Sequence, residues 1–193
     1  MTKIVLATHN KGKLTELSGL LDLPQIELCL LGDINCHEDI PETGNTMEQN
    51  AIQKATFVHQ NYGCNCISDD SGLEVNALNG APGVYSARYA GNHKNSEDNI
   101  TKLLNELGGK SDRTAQFRTV LCLLLDGRIE LFEGVIKGSI TTERKGSSGF
   151  GYDSVFMPNG YTKTFAEMDL VKKNKISHRA LAVKKLVNYL TNI

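Results

Sequence analysis

Short apolar runs alternate with segments of helical period along the chain, and few folds accommodate that order. Residues 4–7 form an unbroken apolar run, which is typical of a strand buried on both faces. Leu14, Leu17, Leu20 and Leu21 follow at helical spacing. No internal repeat or linker interrupts the sequence, so the alternation predicts an α/β fold with a mixed β-sheet.

The same two patterns, strand-like apolar runs and helical spacing, predict the other elements. Further strands are predicted over 26–31, 64–68, 73–75, 115–125, 128–136 and 152–157. Further helices are predicted over 46–62, 95–107 and 177–190. Asp126 and Gly127 separate two of the strands and predict a hairpin. Residues 1–193 are therefore interpreted as a single α/β domain, a length that one core can stabilise.

Composition narrows the class of protein. The formal net charge of −1 argues against a general nucleic-acid or membrane surface, which would be strongly basic. The five cysteines show no zinc-site spacing, and buried reduced thiols are expected. No apolar stretch approaches the roughly 20 residues that span a bilayer, and the first residues resemble a strand rather than a signal peptide. A cytoplasmic protein is expected.

Two acidic positions are candidates for metal binding and catalysis. Asp69 and Asp70 follow a predicted strand, at the sheet edge where open α/β folds bind ligands. Side chains of consecutive strand residues point to opposite faces, so one aspartate is expected in the site and the other behind it. Carboxylates are usual Mg²⁺ ligands, and Glu42 is a second candidate. The alternative is an acidic turn that ends in Ser71 and Gly72.

The polar turn 8–13 joins the first strand to the first helix. This arrangement presents backbone N–H groups and a helix N-terminus to phosphate, although many α/β proteins begin in the same way. The turn lacks the Gly-x4-Gly-Lys-Ser/Thr pattern, which disfavours a Walker-type nucleotide hydrolase.

Two later segments suggest recognition of a nucleobase. In 149–153, glycines flank Phe150, so a flat purine can stack on its ring, and Asp153 can accept a hydrogen bond from a ring N–H. Lys173, His178 and Arg179 form a group of donors that suits keto oxygens on a base and disfavours an amino group. The alternatives are a bulge with core aromatics, and a helix cap followed by exposed polar residues.

Taken together, these motifs resemble one known family, the inosine triphosphate pyrophosphatases, also described as dITP/XTP pyrophosphatases. The similarity covers nearly the whole chain, in the family's order and at suitable separations. The matching segments are Thr8-x-Asn10-x-x-Lys13, Glu42-Thr43-Gly44, Glu48-x-Asn50-Ala51-x-x-Lys54-Ala55, Asp69-Asp70-Ser71-Gly72-Leu73, Gly80-Ala81-Pro82-Gly83, Tyr85-Ser86-Ala87-Arg88-Tyr89, Gly149-Phe150-Gly151-Tyr152-Asp153 and Ile176-Ser177-His178-Arg179.

The resemblance implies Mg²⁺-dependent hydrolysis of the α–β phosphoanhydride of ITP, dITP and XTP, giving the nucleoside monophosphate and pyrophosphate. It also implies an elongated fold of two lobes with the active-site cleft between them, and a homodimer. Asp70 would be the proton acceptor and a metal ligand, with Glu42 as a second ligand. The residues that would bind the triphosphate are Thr8, His9, Asn10, Lys11, Gly12, Lys13 and Ser71. The residues that would bind the base are Phe150, Gly151, Tyr152, Asp153, Lys173, His178 and Arg179.

Three positions depart from the family's usual pattern. His9 stands where Gly is common, Ser68 where Ala is usual, and Ser154 where Pro is common. None of these changes removes a charged functional residue, so they concern loop geometry and efficiency. Two other functions remain open: a related pyrophosphatase for modified pyrimidine nucleotides, and a sensor that binds ITP without cutting it. A nucleic-acid-binding module is disfavoured by the near-neutral charge.

Overall fold

The computed structural model describes residues 1–192. The strands of this range are β1 Thr2–Ala7, β2 Ile26–Leu30, β3 Cys66–Val75, β4 Thr114–Leu125, β5 Arg128–Ile140 and β6 Phe156–Pro158. The α-helices are α1 Lys11–Leu20, α2 Met47–Tyr62, α3 Ser96–Glu106, α4 Leu170–Ile176 and α5 His178–Thr191. Short 3-10 helices cover Leu31–Ile34, Asn76–Leu78, Gly83–Arg88 and Phe165–Glu167.

The six strands of the described range form one sheet in the order β2-β1-β3-β4-β5-β6. The first strand, β1, is parallel to both neighbours, with Val5 opposite Cys29 on β2 and opposite Cys66 on β3. At the other end of the sheet β5 and β6 are antiparallel. The predicted α/β class with a mixed sheet is confirmed, and Asp126 and Gly127 form the expected turn between β4 and β5, both with positive φ.

Several elements differ from the prediction. The strand predicted over 64–68 begins only at Cys66, and it continues into the one predicted over 73–75 as a single strand, β3, because the chain stays extended through Ser71 and Gly72. The strand predicted over 152–157 begins only at Phe156, because the N–H groups of Val155 and Phe156 both bond to the carbonyl of Tyr152 in a turn. Helix α4 was not predicted, since three of its seven residues are lysine and the helix is too short to show a helical period.

The described chain divides into two compact units. Unit 1 comprises Met1–Asp70, Thr119–Gly134 and Arg179–Ile193, and its core packs β1, β3 and β4 against α1 and α5. Its best-buried side chains include Ile4, Leu6, Leu17 and Leu186. This core holds the first turn of α1, the middle of β3 and the start of α5 in fixed positions.

Unit 2 comprises Ser71–Arg118 and Val135–His178. Its core contains residues of α3 together with aromatic side chains of later segments. Phe117 packs edge-on against Phe156, and Phe156 packs against Phe165 with 5.3 Å between the ring centroids. Tyr152 is part of this core and donates a hydrogen bond to the carbonyl of Ser86.

Two further expectations concern the thiols and the membrane. Cys36, Cys66 and Cys122 are buried, whereas Cys29 and Cys64 are half-buried, and all five are free thiols. Burial raises the pKa of Cys66 and of Cys122 to about 12. Among residues 1–192, no helix is both long enough and apolar enough to cross a bilayer.

Candidate active site

The polar turn after β1 is arranged as a capped helix N-terminus. The side-chain oxygen of Asn10 accepts a hydrogen bond from the N–H of Lys13 at 3.0 Å, which caps α1. The N–H of Asn10 in turn bonds to the hydroxyl of Thr8. Helix geometry leaves the N–H groups of Lys11 and Gly12 without intrahelical acceptors. The turn therefore has the form expected of an anion-binding helix start.

His9 lies on the outside of this turn. It is exposed, and its Nε2 lies 3.0 Å from the carbonyl oxygen of Glu38. The predicted contact of His9 with the triphosphate is not tested by this arrangement and stays a prediction.

Asp69 is fully buried and holds two cations. Its Oδ1 lies 2.5 Å from the Nζ of Lys13, and its Oδ2 lies 2.7 Å from the Nε of Arg179. Burial alone would raise the pKa of Asp69, but Arg179 and Lys13 outweigh burial and hold it well below its usual range. Asp69 is therefore a carboxylate that stays ionised.

The side chain of Asp70 contacts different partners from that of Asp69, as expected for consecutive residues on a strand. One of its carboxylate oxygens accepts a hydrogen bond from the amide of Asn50 at 3.1 Å. The other lies 3.4 Å from the Nζ of Lys54, whose ammonium is only 2.5 Å from a carboxylate oxygen of Glu42. Lys54 thus links the two acids that were predicted as metal ligands.

Burial and neighbouring charges shift the pKa values of Asp70 and Lys54. Burial is the largest influence on Asp70 and raises its pKa, against the opposing effects of Lys54 and Lys13. Burial would lower the pKa of Lys54, but Asp70 and Glu42 outweigh it and raise the pKa. Asp70 consequently has a greater affinity for a proton than Asp69, and this difference separates the chemical roles of two neighbouring aspartates.

Helix α2 also holds the loop that carries Glu42. The side-chain oxygen of Asn50 accepts a hydrogen bond from the N–H of Gly44 at 2.8 Å, and Gln53 bonds to both the N–H and the hydroxyl of Thr43. Asn50 therefore contacts this loop and Asp70 at once.

Asn50 and Lys54 were not among the residues given a role from the sequence. In the sequence they stood out only as members of one family motif. Their four-residue spacing was the available signal, because it places both side chains on one face of α2.

A second group of predicted residues is brought together within unit 2. The carboxylate of Asp153 accepts hydrogen bonds from the backbone N–H of Phe150 at 2.9 Å and from the Nζ of Lys173 at 2.6 Å. The same Nζ lies 5.0 Å from the centre of the Phe150 ring. Phe150, Asp153 and Lys173 thus form one cluster of ring, acid and cation.

The glycines around Phe150 have a specific structural reason. Gly149 has a φ of +79°, and a Cβ at this position would overlap the carboxylate of Asp153. Gly151 also has positive φ, with open space where a Cβ would lie. The loop therefore needs Gly149 for the approach of Asp153, and Gly151 only for its backbone conformation.

The remaining predicted residues lie in different surroundings. The ring of His178 stacks on Phe117, with centroids 4.7 Å apart. Tyr152 is a core residue of unit 2, as the alternative interpretation of its motif proposed. Ser71 directly follows Asp70 on β3 and is half-buried. The guanidinium of Arg179 contacts Asp69 and Glu16 within unit 1.

The donor set of unit 1 is compatible with a hard divalent cation. No group of three or more His, Cys, Asp or Glu side chains within residues 1–192 forms a metal cage. Mg²⁺ does not require one, since it commonly takes one or two protein carboxylates and completes its shell with phosphate oxygens and water. Glu42 and Asp70, which contact the same ammonium, fit that description.

The fold and this site define a class: an α/β protein in which carboxylates and ammonium groups are gathered beside the capped start of a helix. More particularly, the chain belongs to the Ham1 family, whose profile matches residues 4–189. The family resemblance predicted from the motifs is confirmed.

Individual relatives agree with this assignment. The chain is 53% identical to the dITP/XTP pyrophosphatase of Christiangramia forsetii, over 98% of this chain and 99% of that protein. It is 51% identical to the dITP/XTP pyrophosphatase of Porphyromonas gingivalis, over 98% of both chains.

Solved structures show the same fold. The Ham1 protein of Staphylococcus aureus is 40% identical and superimposes with a TM-score of 0.90, over 99% of both chains. The HAM1 protein of Coxiella burnetii is 39% identical, with a TM-score of 0.92 over the full length of both.

Proposed function

We propose that this protein hydrolyses the deaminated purine nucleoside triphosphates ITP, dITP and XTP to the monophosphate and pyrophosphate, with Mg²⁺ as cofactor. Family membership and relatives named dITP/XTP pyrophosphatase at 51–53% identity support the reaction and the substrate class. Removal of such nucleotides from the cytoplasmic pool is the physiological role that follows.

The observation that carries this proposal is the position of Lys54 between two carboxylates. Its ammonium contacts Glu42 and Asp70, and also donates to the carbonyl oxygen of Asp69 at 2.7 Å. Two acids are thereby held at one point beside the capped start of a helix. A binding protein for a polyanion would not need such acids, because they repel phosphate.

The triphosphate is assigned to residues of the first turn of α1. The half-buried ammonium of Lys13 supplies a positive charge, and the helix N-terminus supplies the backbone N–H groups of Lys11 and Gly12. Ser71, the residue after Asp70, adds a hydroxyl donor to the same task.

Asp70 is assigned the proton transfer. Its carboxylate can accept a proton from water, and the hydrogen bond from Asn50 fixes its orientation. As the water oxygen bonds to phosphorus, its proton passes to Asp70 and the α–β bridging bond breaks. Mg²⁺ held by Asp70 and Glu42 would supply charge neutralisation of the phosphate oxygens.

The base is assigned to the residues of unit 2. Phe150 offers a ring for stacking, with 151–153 beside it, and Lys173 and His178 offer donors to keto oxygens. An exocyclic amino group would meet donors there, which disfavours adenine. The guanidinium of Arg179 contacts Asp69 and Glu16, and its predicted contact with the base stays a prediction.

The assembly is proposed to be a homodimer, on the basis of the family resemblance. Sedimentation of the purified protein at several concentrations tests this assignment independently of the chemistry.

The experiment that tests the function is pyrophosphate release from ITP, dITP, XTP, GTP and ATP, each with and without Mg²⁺. Release from the first three alone, dependent on Mg²⁺, is expected. Equal cleavage of GTP and ATP would keep the hydrolase and overturn the base selectivity. Stabilisation by ITP without pyrophosphate release would indicate a sensor, and preference for modified pyrimidine nucleotides the related pyrophosphatase.

A matched variant gives the control. Asp70→Asn keeps the size and one acceptor of the side chain but cannot take up the proton. We expect a fall in kcat of about a thousandfold with an unchanged fold by circular dichroism. Near-normal turnover by this variant would remove Asp70 from its role.

A further inference from the structure

Helix α2 holds the loop that carries Glu42 through three consecutive backbone N–H groups of that loop. In each case the acceptor is the side-chain amide oxygen of a residue on α2. The pairs of donor and acceptor residues are Thr43 with Gln53 at 2.9 Å, Gly44 with Asn50 at 2.8 Å, and Asn45 with Gln49 at 2.8 Å. The position of the loop after Glu42 is therefore fixed by amide side chains of one helix.

Asn50 differs from the two glutamines in its burial and in its second partner. It is 1% exposed, whereas Gln49 is exposed and Gln53 is half-buried. Its amide nitrogen donates to Oδ2 of Asp70 at 3.1 Å, while its oxygen accepts from Gly44. Both atoms belong to one planar carboxamide, so the two hydrogen bonds together fix its orientation.

The glycine at position 44 has a specific reason in this contact. A Cβ at Gly44 would lie 2.9 Å from the side-chain oxygen of Asn50 and 2.6 Å from the Cβ of Gln49. Glycine is the residue that permits so close an approach of backbone to a neighbouring group. The loop backbone can therefore approach the carboxamide of Asn50 because position 44 has no side chain.

A buried amide needs hydrogen-bond partners for stability alone, and many different groups could serve. Here the two partners are tied to the two candidate metal ligands. Gly44 follows Glu42 by two residues, and Asp70 is the other candidate. Asn50 thus connects, through one rigid group, two carboxylates that lie far apart in the sequence.

The two common hard cations differ in how much they depend on such rigidity. Mg²⁺ requires nearly ideal octahedral geometry at short distances, whereas Ca²⁺ accepts irregular and more variable shells of oxygen ligands. Residues that orient metal ligands typically contribute about 10–100-fold to metal affinity. A loss of the fixed relation between the two carboxylates should therefore weaken Mg²⁺ binding more than Ca²⁺ binding.

We propose that Asn50 is a positioning residue of the metal site, which holds the Glu42 loop and Asp70 in a fixed relation and thereby favours Mg²⁺ over Ca²⁺. This inference rests on the proposed function, since it takes Glu42 and Asp70 as the ligands of Mg²⁺. It assigns to Asn50 a role in the choice of metal, and to Gly44 the close contact on which that role depends.

The test measures metal binding to the full-length protein without nucleotide. Mn²⁺, which prefers the same octahedral oxygen ligands as Mg²⁺, is the probe, and electron paramagnetic resonance reports its free concentration. Mg²⁺ and Ca²⁺ are then added as competitors. For Asn50→Leu, which keeps the approximate volume and removes both hydrogen bonds, we expect the Kd for Mn²⁺ and for Mg²⁺ to rise at least about tenfold. The Kd for Ca²⁺ should rise less than about threefold.

Gly44→Ala tests the same arrangement from the side of the loop. The added Cβ should displace the backbone from Asn50 while the hydrogen bond between Asn50 and Asp70 stays in place. We expect a smaller loss of Mg²⁺ affinity than for Asn50→Leu, again with little change for Ca²⁺. If Asn50→Leu does not fold, Gly44→Ala decides the question by itself.

Two control variants separate positioning from attachment of the loop and from stability. Gln49→Ala removes the neighbouring bond to the N–H of Asn45 and leaves the contacts of Asn50 in place. Val58→Ala removes apolar volume from the buried face of the same helix, one turn beyond Lys54. Neither variant should change the Kd for Mn²⁺, or the ratio of the Mg²⁺ and Ca²⁺ constants, by more than about twofold.

Steady-state kinetics give a second readout of the same role. For Asn50→Leu, the Mg²⁺ concentration that gives half-maximal hydrolysis of ITP should rise about tenfold. The KM for ITP at saturating Mg²⁺ should change less than about threefold, because Asn50 has no assigned contact with the nucleotide.

Three results would overturn the inference. One is a Kd for Mn²⁺ in both Asn50→Leu and Gly44→Ala that is no higher than in Val58→Ala. A second is an equal loss of Mg²⁺ and Ca²⁺ affinity in those two variants, and a third is the absence of Mn²⁺ binding by the native protein. If the native protein binds Mn²⁺ but releases no pyrophosphate from ITP, the proposed function fails, and the metal constants still decide the role of Asn50.

Discussion

Lys54 donates to Glu42 across 2.5 Å, and this contact joins a loop to the middle of helix α2. The same ammonium faces Asp70, so three charges from three segments converge at one point. Because the lysine side chain is 5% exposed, water provides little screening of these charges.

Replacement of Lys54 by methionine tests this convergence. We expect Lys54→Met to reduce kcat/KM for ITP by at least about a hundredfold, because the two acids lose the cation that holds them together. We also expect it to lower the free energy of unfolding by about 3 kcal/mol, as for removal of one partner from a buried charge pair. Initial rates and urea unfolding measure the two effects.

Gln53→Ala is the control for that variant. Gln53 lies next to Lys54 on α2 and supports the same loop through Thr43, without a charge. A much smaller loss of activity is expected. Equal losses in the two variants would show that loop attachment, and not the charge of Lys54, is what matters.

The pKa of Asp69 predicts a pH dependence of stability. Its folded-state pKa lies well below the usual 3.8, so its stabilising contribution is present above pH 3.8 and is lost as pH falls below that value. Asp69→Asn should therefore destabilise the metal-free protein strongly at pH 7 and much less in acid below pH 3.8. Chemical unfolding at the two pH values provides the measurement.

The exposed Asp22 provides a comparison, because Asp22→Asn should change little at either pH. A destabilisation by Asp69→Asn that is the same at both pH values would show that its carboxylate is not held ionised by Lys13 and Arg179.

Gly149 and Gly151 give a matched pair for the base-binding loop. Gly151→Ala should cost about 1–2 kcal/mol of stability, from positive φ alone. Gly149→Ala carries the same backbone strain and also places a Cβ against the carboxylate of Asp153, so it should cost more. Because Asp153 holds Lys173, only Gly149→Ala should also reduce the preference for ITP over ATP.

Thermal unfolding and rates with the two nucleotides measure these effects. Equal behaviour of the two alanine variants in both assays would contradict the role of Asp153 in holding Lys173.

The thiols should differ in their reactivity. Cys66 and Cys122 have pKa values of about 12 and are buried, so neither should react with a disulfide reagent at pH 8 in the native protein. The half-buried Cys29 and Cys64 should react first, and all five thiols should react after unfolding in guanidinium chloride. A rapid native reaction of more than two thiols would contradict the burial of the other three.

Much of the fold follows from local patterns. The strand 4–7, the hairpin at Asp126 and Gly127, and the long helix beginning near residue 46 were predicted because each has a clear period or turn signal. The continuous β3 was missed because Ser71 and Gly72 resemble a turn in isolation. Only pairing within the sheet keeps these residues extended.

The site, like the fold, was only partly predictable from the sequence. The residue types and their order in the motifs were enough to identify the family and to select Lys13, Glu42, Asp70, Asp153 and Lys173. The motifs did not indicate which of these side chains contact each other. Nor did they indicate that Lys54 lies between Glu42 and Asp70, because that depends on how α2 packs beside β3.

Arg179 shows most directly what each level determines. The sequence fixes its charge and places it after His178, in a motif that helps to identify the family. The tertiary structure decides its partners, Asp69 and Glu16, which lie 110 and 163 residues away along the chain. The physical reason is that a buried guanidinium must bond to whichever carboxylates the packed helices and strands bring within reach.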